Sequence, residues 1–586
     1  MTTLGRIIWT LVSVAAWLVV PEAESGFAQE AKVKLTFDHF YDGPAVGAAL
    51  ADLHSAYPGL TELRSIGKSE EGHDIWLLSI NNPKTGKDTD KPGIYVDGAI
   101  HGNEIQATEV CLYLAWYLLD GYGRIPAVTE MVDGRAFYIV PVVNVDGRWR
   151  FFAEASGYKI GRSAKVPFDD DRDGLTDEDP YEDLDGDGEV LEMRVLDPFG
   201  GYKSHPDDPR VMVRVKPGEK GEWEMLGSEG IDNDGDGRLN EDPPGYLDMN
   251  RNYAFKWQPS YVQSGAGLYP MSSKVTRAIS EFILTKPNIC FNFAFHNSGG
   301  MLLRGPGSKL AGNYPPSDVK VWDFLGKEGE KIIPGYKYLV SKDDLYTTHG
   351  DFDEWMYSNL GIYGFVGELF MSSQEQYRKP GEQEDKGDED DSWFGGTPPE
   401  EKQKFNDIVN QGQMFRTWKP FLHPQFGDVE IGGWRTFTTR IPPTFMLPEM
   451  VHRTASLVIF TARHAPEVSL EVLEVKALAP DLHRVRIRAS NLNAIPTLSS
   501  KATQKKLARR DILKIEGPGL DVVAGATVDD LRLDLVSPVE HHPEQIFTSI
   551  PAFGKQDFQW IVRGKGKARI TYRSLKAKDL QMELEL

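Results

Sequence analysis

The sequence predicts an α/β fold, a mixed central sheet with helices on both faces, followed by a smaller all-β, sandwich-like domain. Three observations carry this. Apolar runs of strand length at 61–67, 74–80, 93–100, 136–143, 289–295 and 362–366 alternate with helical periodicity at 44–57, 105–119, 270–284 and 448–463, the pattern of a sheet covered by helices. Residues able to carry chemistry stand just past the ends of these strands, where ligands gather in open α/β sheets. From about residue 466 the texture changes to short alternating strands at 468–475, 483–490, 512–515, 531–535, 558–563 and 568–572, as expected of a β-sandwich.

The chain begins with one basic residue, Arg6, and an apolar run over 7–20, too short for a comfortable membrane span and suited to a secretory signal. Gly26-Phe27-Ala28 fits a small-x-small cleavage site, so 1–28 is expected to be a signal peptide and the mature protein to be secreted or periplasmic. An uncleaved membrane anchor is the competing reading. With 586 residues, 40% of them hydrophobic, the chain can bury a large core and divide into domains at 33–465 and 466–586. A formal charge of -22 argues against nucleic acid and anionic membrane surfaces as partners and suits a protein that binds cations. Two cysteines, Cys111 and Cys290, exclude a disulfide framework and read as buried thiols, with one bridge between them in an oxidising compartment as the alternative.

The strand at 93–100 opens into Gly98-Ala99-Ile100-His101-Gly102-Asn103-Glu104 and then a helix. An imidazole and a carboxylate three residues apart can share one metal ion. His296, in Phe295-His296-Asn297-Ser298-Gly299-Gly300, again follows a strand, and two His with one Glu make a zinc site with room for water. Asp248-Met249-Asn250-Arg251 offers an Arg with a neighbouring Asn, able to hold a substrate carboxylate by a charge-assisted fork. Glu368 ends another apolar run, where a carboxylate is costly unless it has a task. Moving a proton from water to a leaving amine is such a task.

Between 169 and 242 one acidic theme recurs three times: Asp169-x-Asp171-x-Asp173-Gly174, Asp183-x-Asp185-x-Asp187-Gly188 and Asp232-x-Asp234-x-Asp236-Gly237. Carboxylates at alternate positions before a turn-forming glycine can wrap a hard cation, so structural Ca2+ in isolated loops is expected, with a solvated acidic loop as the alternative. The stretch 372–404 is acidic, poor in apolar residues and expected to be a mobile surface loop. His541-His542 reads as a surface pair in a loop.

Taken together, His101-x-x-Glu104, Asn250-Arg251, His296, Tyr346 and Glu368 resemble, in order and local context, the zinc metallocarboxypeptidases of the carboxypeptidase A type, over about residues 37–466; the acidic insertion looks like that of a bacterial secreted branch. The resemblance implies that His101, Glu104 and His296 bind Zn2+ and that Glu368 is the general base and acid. Asn250 and Arg251 would grip the terminal carboxylate of a peptide or protein substrate, with Tyr346 closing over it. It further implies that Arg162 polarises the scissile carbonyl, Arg148 and Arg150 being the competing choices, and that Asp353 lies at the base of the specificity pocket. An Asp there would favour C-terminal Lys or Arg; a slip of two residues within Asp351-Phe352-Asp353-Glu354 and plain solvent exposure are the competing placements. Two other functions remain open at this point: a calcium-dependent extracellular binding protein with an inactive peptidase-like domain, and a zinc amidase or deacylase acting on small molecules.

Overall fold

The computed structural model describes residues 30–169, 172–370, 399–435 and 440–586. The expected signal peptide, Asp171 and residues 372–398 of the acidic loop lie outside the described residues.

Eight strands form the central sheet: β1 (Thr61–Lys68), β2 (Asp74–Ile80), β3 (Gly93–Gly98), β4 (Ala136–Val140), β5 (Ile289–Asn297), β6 (Met301–Arg304), β7 (Lys337–Val340) and β8 (Tyr363–Leu369). Their spatial order is β1-β2-β4-β3-β5-β8-β6-β7. The four central strands are parallel, while β1, β2 and the β6–β8 pairing are antiparallel. Every residue of β3 and β5 is buried, as the near-continuous apolar runs of parallel strands covered on both faces require. One face packs on helices Gly43–Ala56, Gln106–Gly121, Pro316–Ile332 and Leu447–Arg463, the other on Lys274–Leu284 and Phe352–Leu360.

The acidic insertion is more than a set of loops. Its strands Glu192–Leu196, Tyr202–Ser204, Met212–Arg214 and Trp223–Ser228 join the hairpin Phe415–His423 and Gly427–Trp434 in a six-stranded sheet. The hairpin follows the acidic stretch after β8, so two segments far apart in sequence build one element. The last residues of that stretch, expected to be mobile, instead enter the helix Pro399–Ile408, which buries Phe405 and Asn406.

Beyond the helix Leu447–Arg463 the chain forms a five-stranded and a four-stranded sheet around Val485, Ile487, Leu513, Phe558, Trp560, Ile570 and Tyr572, the all-β domain expected. One strand was misjudged. Residues 531–534 are a turn, because the Asp530 carboxylate accepts the backbone N–H groups of Arg532 and Leu533; the strands on either side are Asp521–Asp530 and Leu535–Pro538. This domain docks on the first through Asp318. That carboxylate, 1% exposed, accepts the backbone N–H groups of Ser500 and Lys501 and the hydroxyls of Tyr357 and Tyr363. Cys111 and Cys290 are separate buried thiols.

Candidate active site

The turn after β3 is held by close backbone packing. A Cβ on Gly102 would lie 2.4 Å from the carbonyl carbon of Gly147, so only glycine lets the turn approach the helix Val145–Ala153 and carry His101 and Glu104 inward. His296 comes from the end of β5, and Glu368 stands opposite it on β8 in register.

His101, Glu104 and His296 are 3%, 2% and 3% exposed, and their ligand atoms lie within 4.8 Å of one another. The two Nδ1 atoms are 3.2 Å apart; His101 Nδ1 is 3.0 Å from Glu104 Oε1 and His296 Nδ1 is 2.9 Å from Glu104 Oε2. Glu104 Oε2 is buried yet no donor is aimed at it in hydrogen-bond geometry. Two imidazole nitrogens and an unsatisfied carboxylate oxygen facing one point fit a zinc ion, whose catalytic sites use this donor set.

Asp248, which the sequence reading passed over, completes the centre. Its Oδ1 lies 3.2 Å from His101 Nε2, fixing the ring so that Nδ1 faces inward, and its Oδ2 accepts from Arg162 Nη2 at 3.0 Å. Burial pushes the Asp248 carboxyl up, but His101, Arg162 and Arg251 outweigh it and hold it well below the usual range. Glu104 follows the same balance: burial is overcome by the two imidazoles. The signal for Asp248 was its position two residues before Asn250, an acid beside a fork built for an anion.

Arg162 Nη1 stands 3.6 Å from Glu104 Oε1, which brings this arginine to the centre. The competing arginines are engaged elsewhere. Arg148 is fully buried, donating to Glu109 Oε1, Thr108 and two backbone carbonyls, and Arg150 pairs with Glu71. Asn250 and Arg251 lie beside the triad: Asn250 Nδ2 is 3.5 Å from His296 Nε2, and Arg251 Nη1 donates to the Asn250 carbonyl. Tyr346 is 46% exposed at the rim and acts electrostatically on Arg162. Gly350, at φ +69, brings the following segment against Arg251, whose carbonyl oxygen a Cβ would meet at 2.4 Å. There Asp351 caps the helix Phe352–Leu360. Burial, then Asp351 and Glu354, push the Asp353 carboxyl well above its ordinary range. Burial also pushes Glu368 up to about 7; His296 opposes, Glu104 adds, and Arg440 and Arg162 oppose. Arg440 was missed: it follows the hairpin in a stretch with no pattern to mark it.

The described residues of the three acidic repeats share one hydrogen-bonding pattern. In each, the first Asp accepts the N–H groups three and five residues on: Asp169 from Arg172 and Gly174, Asp183 from Gly186 and Gly188, Asp232 from Gly235 and Gly237. The last Asp of each, Asp173, Asp187 and Asp236, accepts the N–H two residues on. Asp183 and Asp185 meet the buried Glu229; Asp234 meets Asp173 and Glu178 across the two outer repeats, which an antiparallel bridge joins at Asp179 and Asp242. Neither carboxylate oxygen of Glu178 or of Glu241 has a hydrogen-bond partner, although all four atoms are shielded from solvent.

A buried two-imidazole, one-carboxylate triad with a further carboxylate opposite it defines a metallohydrolase-type centre on an α/β sheet. The family model described as zinc carboxypeptidase matches residues 46–175 and 227–392, just over half of the chain, and the chain belongs to that family. The unmatched interval holds the strands Glu192–Leu196, Tyr202–Ser204 and Met212–Arg214 and most of Trp223–Ser228. A model described only as a domain of unknown function matches 467–585. Human carboxypeptidase D is 39% identical over 107 residues, which are 18% of this chain and 8% of that protein. A zinc carboxypeptidase of Saccharothrix mutabilis subsp. capreolus is 36% identical over 92 residues, 16% of this chain and 21% of that one. The aligned stretch thus spans less than a tenth of carboxypeptidase D and about a fifth of the bacterial enzyme. Among solved structures, thrombin activatable fibrinolysis inhibitor aligns with 74% of this chain and 76% of its own at 15% identity and a TM-score of 0.45. Carboxypeptidase A from Helicoverpa armigera aligns with 58% and 68% at 17% identity and a TM-score of 0.41.

Proposed function

We propose that this protein is an exported zinc carboxypeptidase that removes C-terminal residues, preferentially Lys or Arg, from peptides or proteins. The observation that carries the reading is the meeting of His101, Glu104, His296 and Glu368 at one end of the sheet, with Asn250 and Arg251 beside them. The zinc these residues would hold polarises the scissile carbonyl and lowers the pKa of water toward ~7.

The chain's own residues do the rest. Arg251 and Asn250 hold the terminal carboxylate and so fix which peptide bond reaches the centre. Glu368 takes a proton from the attacking water as the new C–O bond forms, and the carbonyl electron pair moves onto oxygen, toward which Arg162 donates. When the C–N bond breaks, Glu368 returns the proton to the leaving amine. Tyr346, at the rim, covers the bound terminus. Burial first, and then the neighbouring Asp351 and Glu354 carboxylates, push the Asp353 carboxyl up, a cost that a basic side chain would relieve.

The acidic repeats are read as structural calcium sites, supported by their shared hydrogen-bonding pattern and by the carboxylates of Glu178 and Glu241, which are shielded from solvent without a hydrogen-bond donor. Export is read from the apolar run at 7–20. The test is mass analysis of peptides incubated with the zinc-loaded protein: stepwise loss of single C-terminal residues is expected, fastest for Lys and Arg. Internal cleavage, or cleavage of small amides with peptides left intact, would overturn the reading.

A further inference from the structure

We infer that Arg440 is a second guanidinium of the reaction centre, directed with Arg162 at the oxygen on which charge develops. The inference rests on the carboxypeptidase reading above and adds a group supplied from outside the segments the family model matches.

Arg440 arrives from the far side of the molecule's sequence, past the hairpin that completes the insertion sheet, and is nevertheless built into the floor of the site. Its backbone carbonyl accepts from Gln106 Nε2 at 2.9 Å and from Asn297 Nδ2 at 3.2 Å. Gln106 and Asn297 are both buried, one opening the helix after Glu104 and the other following His296. The next residue, Ile441, is 2% exposed and packs with Ile105 and Phe151. The side chain is tethered at one end only: Nη2 donates to the Asn297 carbonyl at 2.6 Å and stands 3.5 Å from Glu104 Oε1. Arg162 Nη1 reaches the same oxygen at 3.6 Å from its own side. Two guanidinium groups therefore converge on one oxygen of the metal-ligand set, and both act electrostatically on Glu368.

With its side chain 38% exposed, Arg440 is not enclosed by the groups it meets. Its remaining N–H groups can serve an anion that exists only after water has added to the carbonyl. Charge balance agrees. Glu104, Asp248 and Glu368 are matched one for one by Arg162, Arg251 and Arg440 when all are ionised. A divalent ion then leaves two positive charges for the terminal carboxylate and the oxyanion.

The test compares wild type, Arg440→Met and Arg440→Lys as full-length, zinc-loaded protein. Calorimetric binding of phosphonate analogues of blocked Gly-Arg and Gly-Phe, which mimic the tetrahedral anion, is set against binding of the free amino acids, which carry the terminal carboxylate and side chain but no tetrahedral anion. Zinc affinity by chelator competition and the melting temperature are measured on the same samples. The expected result is that Arg440→Met weakens phosphonate binding and lowers kcat by a similar factor, about 10- to 100-fold, somewhat less than the usual loss for a lone oxyanion donor because Arg162 remains. KM, amino-acid binding, zinc affinity and melting temperature stay within about 3-fold or a few degrees. Arg440→Lys recovers part of the loss. A rise in KM alone, or a loss of zinc affinity that accounts for the whole effect, would overturn the inference while leaving the carboxypeptidase reading intact. A wild-type protein that neither binds either phosphonate nor releases a C-terminal residue would remove both.

Discussion

Glu368 and His296 stand opposite each other in the register of two adjacent parallel strands. The proposed general base and one proposed zinc ligand are thus set at the same height by the pairing of the two strands, and a slip of one residue would turn Glu368 to the other face. In the proposed mechanism this register would let the Glu368 carboxylate act beside His296 without waiting for a loop to move. Glu368→Gln keeps the shape and removes the base. Zinc content, measured by metal analysis, and phosphonate binding should stay near wild type, while kcat falls by about 10³-fold or more, beyond the usual 10²–10⁴ range's lower end for general base catalysis. Turnover within 10-fold of wild type would take Glu368 out of the chemistry.

Asp248 fixes the tautomer and orientation of His101 from behind. Such outer carboxylates typically contribute about 10- to 100-fold in metal affinity, so Asp248→Asn is expected to weaken zinc binding by that factor in chelator competition. The same substitution loosens Arg162, which shares the other oxygen, and kcat should fall even at saturating zinc.

Much of this centre was legible in the sequence because each of its groups stands at or just past the end of a near-continuous apolar run, a position that a following glycine or helix makes visible. His101, Glu104, His296 and Glu368 all share that signature. Asp248 was legible but overlooked, since a lone Asp before Asn250-Arg251 reads as surface until His101 is seen beside it. Arg440 was not legible: its partners Gln106 and Asn297 are far away in the chain, and only the folded sheet brings them together. The insertion sheet escaped for the same reason, because its strands pair with a hairpin some two hundred residues downstream. The turn at 531–534 was mistaken for a strand because leucines at alternate positions imitate strand periodicity, whereas Asp530 caps two backbone N–H groups and ends the pairing.

Asp353 sets the next expectation. Replacing it by Ala removes one of two facing carboxylates, and the ratio of kcat/KM for C-terminal Arg over Leu should drop by about 10²-fold, the scale on which loss of a buried charge partner acts. The peptide panel that measures this ratio reads the identity of the pocket directly: an unchanged ratio would place selection elsewhere.

Calcium removal should act on stability before chemistry. Glu229 is fully buried beneath Asp183 and Asp185, and burial pushes its carboxyl up to about 7, a cost that a bound cation would offset. EGTA, added at a level that leaves zinc in place, is expected to lower the melting temperature by several degrees, with recovery on adding Ca2+ but not Mg2+. Glu229→Gln should melt lower than wild type in calcium and respond less to EGTA.

Lys576 offers a pH test of how the all-β domain is held. It is 4% exposed, and burial pushes its ammonium down to about 8 from 10.5, with Cys290 of strand β5 and Asp511 opposing. Below about pH 8 the lysine is charged in both folded and unfolded chains, so the whole penalty of burying the charge is present. Between about 8 and 10.5 the unfolded chain binds more protons than the folded one, and stability therefore rises with pH as the buried group turns neutral. Lys576→Met removes the charge at similar volume. It should stabilise the protein at pH 7 by up to about 3 kcal/mol, the free energy of the shift at 1.36 kcal/mol per unit. The advantage should shrink steadily from pH 8 and vanish above about 10.5, as urea unfolding followed at each pH would record. A constant advantage across that range would mean that Lys576 keeps its proton, held by a partner strong enough to cancel its burial.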